Sequence, residues 1–363
     1  MLRFAKQEFP MSEMNEIDTP AVLIDIDRVK ENVSRFQSHC DQHKINVRPH
    51  IKTHKLPKFA TLQLELGAVG ITCQKIGEAE VMAEAGIGDI LISYNILGEA
   101  KLRRLVELAK KCRLSVVADN QTVVEGLSKA FSSKSQPLDV LVECDTGAGR
   151  CGTQSVDETV ELALSINNSP GLTFAGLMTY PPMGRQAEVE HWLRAAIEGL
   201  AAAGLSCTTV SCGGTPNMWN AQGVPSATEH RAGTYIYNDN SLIAQGTCTA
   251  ENCALTVLAT IVSRPTETRA VIDAGSKVLT SDQLGLEGFG LIPIAPEAKI
   301  TGLSEEHGII DLSACDWRPK VGDRVEIIPN HACVVSNMVD QVNLVSNGLL
   351  VSRERVAARG CVT

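Results

Sequence analysis

Apolar positions along this chain change their period near residue 250. Before it, short apolar runs alternate with stretches that repeat at helical spacing. The runs are 21–27 (AVLIDID), 47–52, 70–75 (GITCQK), 89–96 (DILISYNI), 115–120 (SVVADN), 138–145 (LDVLVECD), 174–180 (FAGLMTY) and 209–213. Between them the pattern is amphipathic. Val29, Val33 and Phe36 share one helical face, and Leu102, Leu105, Val106 and Ala109 share another within 98–111. Eight strands alternating with helices predict an α/β chain built as a (β/α)8 TIM-type barrel. An open doubly wound sheet competes, but no Gly-x-Gly-x-x-Gly follows the first run.

Beyond residue 250 the helical period disappears. Segments 255–263, 269–273, 323–328 and 342–351 are β-rich, and Asn347-Gly348 between apolar runs reads as a two-residue hairpin turn. The expected organisation is a barrel over 21–250 and a C-terminal all-β domain over 251–363. The segment 1–20 is expected to pack beside the β domain.

Composition narrows the function. The net charge of −9 argues against a nucleic-acid partner. No apolar run reaches the roughly 18 residues of a membrane span. The N-terminus has no apolar secretion signal, and Met11 and Met14 are alternative starts. The twelve cysteines are irregularly spaced in a long chain, so the expectation is free thiols in a reducing cytoplasm rather than a disulfide scaffold. Cys73, Cys144 and Cys212 fall inside apolar strand patterns and read as small core hydrophobes.

Barrel enzymes gather their chemistry at the carboxyl ends of the strands. Strand-end positions here are His50 and Lys52, Gln74 and Lys75, the run Asp145–Gly152 with Arg150, Thr179-Tyr180, and Gly213-Gly214-Thr215. An inward lysine lowered in pKa by burial can condense with an aldehyde cofactor. Lys55 is expected in the following helix instead. The glycines Gly213 and Gly214, the Thr215 hydroxyl, and Gly233-Thr234 offer donors for a phosphate, although such sequences also make ordinary turns. Tyr180 also suits a packed core, and Arg150 could pair with Asp145. Near the far end, His331-x-Cys333 would share one face of a strand and suit a zinc-like ion. A pair this short also occurs without metal. His307, Cys315 and Asp340 are further ligand candidates without supporting spacing.

The run Arg48–Lys55 resembles the cofactor-lysine segment of the D-threonine aldolase and D-serine dehydratase family, fold-type III enzymes of pyridoxal phosphate (PLP) built like alanine racemase. Similar runs are Cys73-Gln74-Lys75 with Glu78-Ala79, Glu143–Gly152, Gly213–Thr215, Asp273–Gly275 and Pro329–Cys333, so the resemblance extends from Asp18 to Gly360. It implies that Lys52 holds PLP, with His50 and Gln74 beside it and Arg150 and Tyr180 against the ring. It implies that Gly214, Thr215, Gly233 and Thr234 bind the phosphate. His331 and Cys333 would bind Mn²⁺, Co²⁺ or Zn²⁺ next to the substrate hydroxyl. A homodimer is also implied, each active site lying near the partner's β domain.

The two cofactors together define lyase chemistry on β-hydroxy-amino acids, and the resemblance implies the D series. Family aldolases carry aspartate as the second metal ligand and dehydratases carry cysteine. The run 329–337 otherwise looks closer to the aldolase branch. D-threonine aldolase is therefore the expected activity, with D-serine or 3-hydroxy-D-aspartate dehydratase as the alternative. A non-catalytic PLP carrier would be a single barrel without the second domain, and a racemase would need an opposing base where the metal pair falls.

Overall fold

The computed structural model describes Ser12–Glu13 and residues 16–363; the alternative starts Met11 and Met14 lie outside the described residues. The chain divides into two compact units. One comprises Ser34–Lys52, Pro57–Gly233 and Cys361–Thr363. The other runs to Val33 and adds Thr53–Leu56 and Thr234–Gly360.

The first unit is built on an eight-stranded sheet. Its order is Asn46–Val47, Glu229–His230, Thr209–Cys212, Leu172–Thr179, Leu138–Cys144, Arg113–Ala118, Asp89–Ile92 and Ile71–Cys73, and every pair is parallel. A parallel bridge from His50 to Thr72 joins the two ends of this order. Ile51 N–H donates to Thr72 O at 2.9 Å and Thr72 N–H to Pro49 O at 2.8 Å, so the sheet closes as a barrel. The continuous apolar runs follow from this. A barrel strand is covered on both faces, and Leu138–Cys144 is buried at every position except Asp139. Leu91, Val117, Leu141 and Met178 come from four adjacent strands and form one buried cluster. Each such side chain contributes roughly 1.5–3 kcal/mol by leaving water.

Helices follow the strands and start where polar caps allow. Asn120 Oδ1 accepts from Val123 N–H at 3.1 Å to open Gln121–Phe131. Ser155 Oγ accepts from Glu158 N–H at 3.2 Å to open Val156–Asn168. Caps of this kind are worth about 1 kcal/mol each.

The second unit holds a nine-stranded mixed sheet. Ala21–Asp25 lies at its centre, antiparallel to Leu255–Thr266 and parallel to Gln341–Ser346. This corrects the reading of 21–27 as the first barrel strand. Its Leu23 packs with the nearby Ile17 and with Leu258, Val345 and Leu350, the last three supplied from far away in sequence. The barrel completes its count with Glu229–His230 instead, so Lys52 follows the first barrel strand and not the second. Gln341–Ser346 and Leu349–Arg355 pair as the expected hairpin, with Asn347 at φ 49° and Gly348 at φ 75°, as a type I′ turn requires.

No described helix is long and apolar enough to cross a membrane. No disulfide joins the described cysteines, and Cys73, Cys144 and Cys212 are buried.

Candidate active site

In the barrel unit, Lys52 lies in the turn that leaves the first strand. Its side chain is exposed, not buried as the nucleophile argument expects, because the turn carries it beyond the strand end. The backbone beneath it is held. Lys52 N–H donates to His50 Nδ1 at 3.4 Å, and His50 Nε2 meets Gln74 Oε1 at 3.0 Å. Gln74 Nε2 donates to Ser93 O at 3.1 Å. With Nδ1 accepting, the Nε2–H tautomer of His50 is the one that satisfies Gln74. Thus His50 and Gln74 meet as a pair that fixes the Lys52 peptide.

Two other lysines are engaged elsewhere. Lys55 is not helical: it is buried at φ 55°, with Nζ 3.5 Å from Ala358 O. Lys75 Nζ lies 3.4 Å from the Tyr94 ring centroid.

Gly213, Gly214, Thr215 and Gly233 converge. Gly233 N–H donates to Thr215 Oγ1 at 3.1 Å. A Cβ on Gly213 would lie 2.1 Å from the His230 ring, and one on Gly214 would lie 2.6 Å from Tyr180. Glycine is therefore required for the Tyr180 ring to rest on this backbone. The Arg150 guanidinium sits 5.1 Å from the Tyr180 centroid, close enough for cation–π attraction. Its charge partner is Glu143 at 3.9 Å, not Asp145. Asp145 instead accepts from the backbone N–H groups of Gly147 and Gly149 at 2.9 and 3.1 Å. An aromatic platform, a guanidinium, a glycine turn at a 3₁₀-helix N-terminus and a lysine without a partner among the described residues suit a planar, phosphate-bearing aldehyde such as PLP.

A buried polar chain lies beneath these groups and carries no apolar signal in the sequence. Arg48 bonds Asp89 at 2.5 Å and Glu229 at 2.8 Å. Glu229 accepts from Ser211 Oγ, which accepts from Arg231 Nη1 at 2.8 Å, and Arg231 Nη2 donates to Thr179 O at 2.8 Å. Arg48 is ion-paired with Asp89 and Glu229, and the buried Arg231 guanidinium is held by a hydroxyl and a carbonyl, so this chain pins the ends of the strands that carry Thr179, Ser211 and Glu229. Beside them His230 donates Nε2–H to Gly214 O at 3.1 Å. Burial outweighs that bond and lowers His230 from 6.5 to about 4. The fold therefore holds a neutral imidazole that the unfolded chain protonates first. Stability should fall as pH drops from 6.5 toward 4, by roughly 3 kcal/mol from this group. Urea unfolding across that window would show the increment in the parent protein and not in His230→Gln. Identical pH slopes for the two would contradict it.

In the second unit, His331 and Cys333 do not lie on a strand. His331 is the N-cap of helix Ala332–Met338, with φ −136° and ψ 95°, and Cys333 lies in its first turn. The helix forms because the Asp239 carboxylate accepts from Ala332 N–H at 3.0 Å, a cap that His331 itself does not provide. The two side chains still meet. Burial opposes charge on His331, but the Cys333 sulfur and the Asp282 carboxylate push it up to about 9. His331 Nδ1 is 2.6 Å from Asp282 Oδ2. Cys333 Sγ is 3.1 Å from Thr53 Oγ1 and 3.4 Å from Thr234 Oγ1. Thr234 thus faces the thiol, and Thr53, Asp239 and Asp282 are contacts that spacing does not reveal.

Imidazole and thiol form a donor pair that fits a zinc-class ion with water or substrate completing the shell. Among the described residues no group of three His, Cys, Asp or Glu converges as a full cage. The other candidates bond elsewhere: His307 to Ser304, Cys315 to Leu312 O, and Asp340 to Arg359.

Comparison with known proteins now defines the class. The N-terminal domain of alanine racemase matches residues 24–241, and a putative serine dehydratase domain matches 254–345. D-threonine aldolase of Arthrobacter sp is 33% identical over 97% of this chain and 95% of that protein. D-threo-3-hydroxyaspartate dehydratase of Delftia sp. (strain HT23) is 31% identical over 87% and 91%. The crystal structure of D-threonine aldolase from Filomicrobium marinum superposes with a TM-score of 0.91 at 32% identity, covering 97% of this chain and 98% of that one. Two solved variants of D-threo-3-hydroxyaspartate dehydratase replace a histidine and a cysteine two positions apart with alanine, and the cysteine variant is described as metal-free. The chain belongs to the alanine racemase N-terminal domain family, in the branch of D-threonine aldolases and D-threo-3-hydroxyaspartate dehydratases. That makes it a PLP-dependent lyase.

Proposed function

We propose that this chain is a metal-assisted D-threonine aldolase, cleaving D-β-hydroxy-amino acids to glycine and an aldehyde. The observation that carries the reading is the match to D-threonine aldolase along nearly the whole chain, at 33% identity. Lys52 is the residue that holds PLP. His50 and Gln74 fix its peptide, Tyr180 and Arg150 line the ring, and Gly214, Thr215 and Gly233 serve the phosphate, with Thr234 beside them in sequence. PLP supplies an electron sink for charge at the substrate Cα. His331 and Cys333 are the metal ligands, and a divalent ion there supplies Lewis acidity at the β-hydroxyl. The reading includes a homodimer in the cytoplasm.

Dehydration is the second reading, favoured by the sulfur ligand. The dehydratase variants named above alter a histidine and a cysteine at the spacing of His331-x-Cys333. In that reaction Lys52 takes the Cα proton and hydroxide leaves from Cβ.

The products separate the two. Purified protein supplied with PLP and Mn²⁺, Co²⁺ or Zn²⁺ is expected to convert D-threonine to glycine and acetaldehyde. A 2-oxo acid with ammonia from D-threonine, D-serine or D-threo-3-hydroxyaspartate would establish the dehydratase instead. No turnover of L-threonine or L-allo-threonine is expected. Comparable rates on L-threonine would refute both readings.

A further inference from the structure

The loop after the short helix Ser276–Leu279 is tied to the His331 turn at two points. Asn330 Nδ2 donates to Gly288 O at 2.9 Å, and His331 Nδ1 meets Asp282 Oδ2 at 2.6 Å. Asp282 is itself fixed from behind, since its N–H donates to Thr280 Oγ1 at 3.2 Å. Asn330 also accepts from Asn240 Nδ2 at 2.8 Å, so the residue before the imidazole is braced on both sides. His331 makes no side-chain cap bond. The Asp282 contact thus sets the ring's orientation independently of the helix it precedes.

A carboxylate on Nδ1 has a definite chemical consequence. It accepts the Nδ1–H, which leaves the lone pair on Nε2, and it raises the basicity of that nitrogen. We propose that Asp282 is a positioning residue for metal binding: it selects the His331 tautomer and aims Nε2 at the ion shared with Cys333. This rests on the metal reading above and adds a residue outside the His-x-Cys motif. Asp282 lies 49 positions from His331, so nothing in local spacing reveals it. Oδ2 is committed to the imidazole, so Asp282 acts through His331 and is not itself a ligand in this proposal. An ion held by two protein donors depends strongly on their preorganisation.

The test uses cobalt(II) as a spectroscopic probe on the PLP-loaded full-length protein. Thiolate ligation gives cobalt a near-ultraviolet charge-transfer band that can be titrated without any activity assay. Asp282→Ala should weaken cobalt affinity roughly 10–100-fold. Its melting temperature and the visible absorption of bound PLP should match the parent. Asp282→Asn, which keeps an acceptor oxygen, should lose less. Lyase activity of Asp282→Ala should recover at saturating metal. A parent band that vanishes in Cys333→Ala yet titrates identically in Asp282→Ala would overturn the Asp282 assignment alone. A parent protein with no such band, or a band unchanged in Cys333→Ala, would remove the metal reading and this inference with it. Should Asp282→Ala fail to fold, Asp282→Asn carries the same comparison, and parental affinity there with a melted Asp282→Ala would make the contact structural only.

Discussion

Lys52→Ala is expected to bleach the protein and abolish its activity. The holoprotein should be yellow, and the variant should lose both the visible absorption and all measurable turnover, a loss of roughly 10⁴-fold or more, about 5 kcal/mol in barrier. The reasoning is positional. Lys52 lies in the turn that leaves the first barrel strand, His50 and Gln74 fix its peptide, and its ammonium has no hydrogen-bond or ion-pair partner among the described residues. In the same unit, the Gly213–Thr215 turn and Tyr180 form a cradle with room only for glycine at 213 and 214, and Gly233 N–H bonds Thr215 Oγ1 beside it. The competing lysines are occupied, Lys55 by Ala358 O and Lys75 by the Tyr94 ring. Borohydride reduction followed by peptide mapping should therefore place the pyridoxyl label on Lys52. A label on Lys55 or Lys75 would show the assignment to be wrong.

The barrel was legible in the sequence because its strands are buried on both faces. Six of them, from Ile71–Cys73 to Thr209–Cys212, appear as apolar runs close to their observed bounds. Local pattern carries no information about partners, however. Ala21–Asp25 has the same apolar signature, yet its hydrogen bonds go to Leu255–Thr266 and Gln341–Ser346. The strand that replaces it, Glu229–His230, is two polar residues long. It is buried only because Arg48, Ser211 and Gly214 O satisfy its side chains, and hydrophobic periodicity cannot register such a strand.

The site was legible in its chemistry and less so in its conformation. Val334-Val335 after His331-x-Cys333 favours a strand by β-branching, but the distant Asp239 carboxylate caps the segment and makes it a helix. The motif survives this error, because an extended N-cap followed by the first helical turn also lets the two side chains meet. Thr53 and Asp282 were invisible for a different reason. Each reaches the motif through tertiary contact alone, across 280 and 49 positions.

Removing the metal donors should have the second-largest effect. His331→Ala or Cys333→Ala is expected to lower lyase activity roughly a thousandfold, about 4 kcal/mol, the scale of Lewis-acid stabilisation at a leaving or deprotonating oxygen. PLP binding should persist, because the donors belong to the unit that does not contain Lys52. Chelation should reproduce the loss, and added divalent ion should reverse it. Sulfur ligation favours Zn²⁺ at rest, while Mn²⁺ or Co²⁺, more weakly held, can be the activating ion. A purely structural role makes a different forecast. His331 would then be an imidazole braced by Asp282, and Cys333 a thiol bonded to Thr53 and Thr234. Both variants would melt early, and activity would be indifferent to chelators. Full activity after exhaustive chelation, with no metal by elemental analysis, would remove the metal from this enzyme and leave its chemistry to Lys52 and PLP.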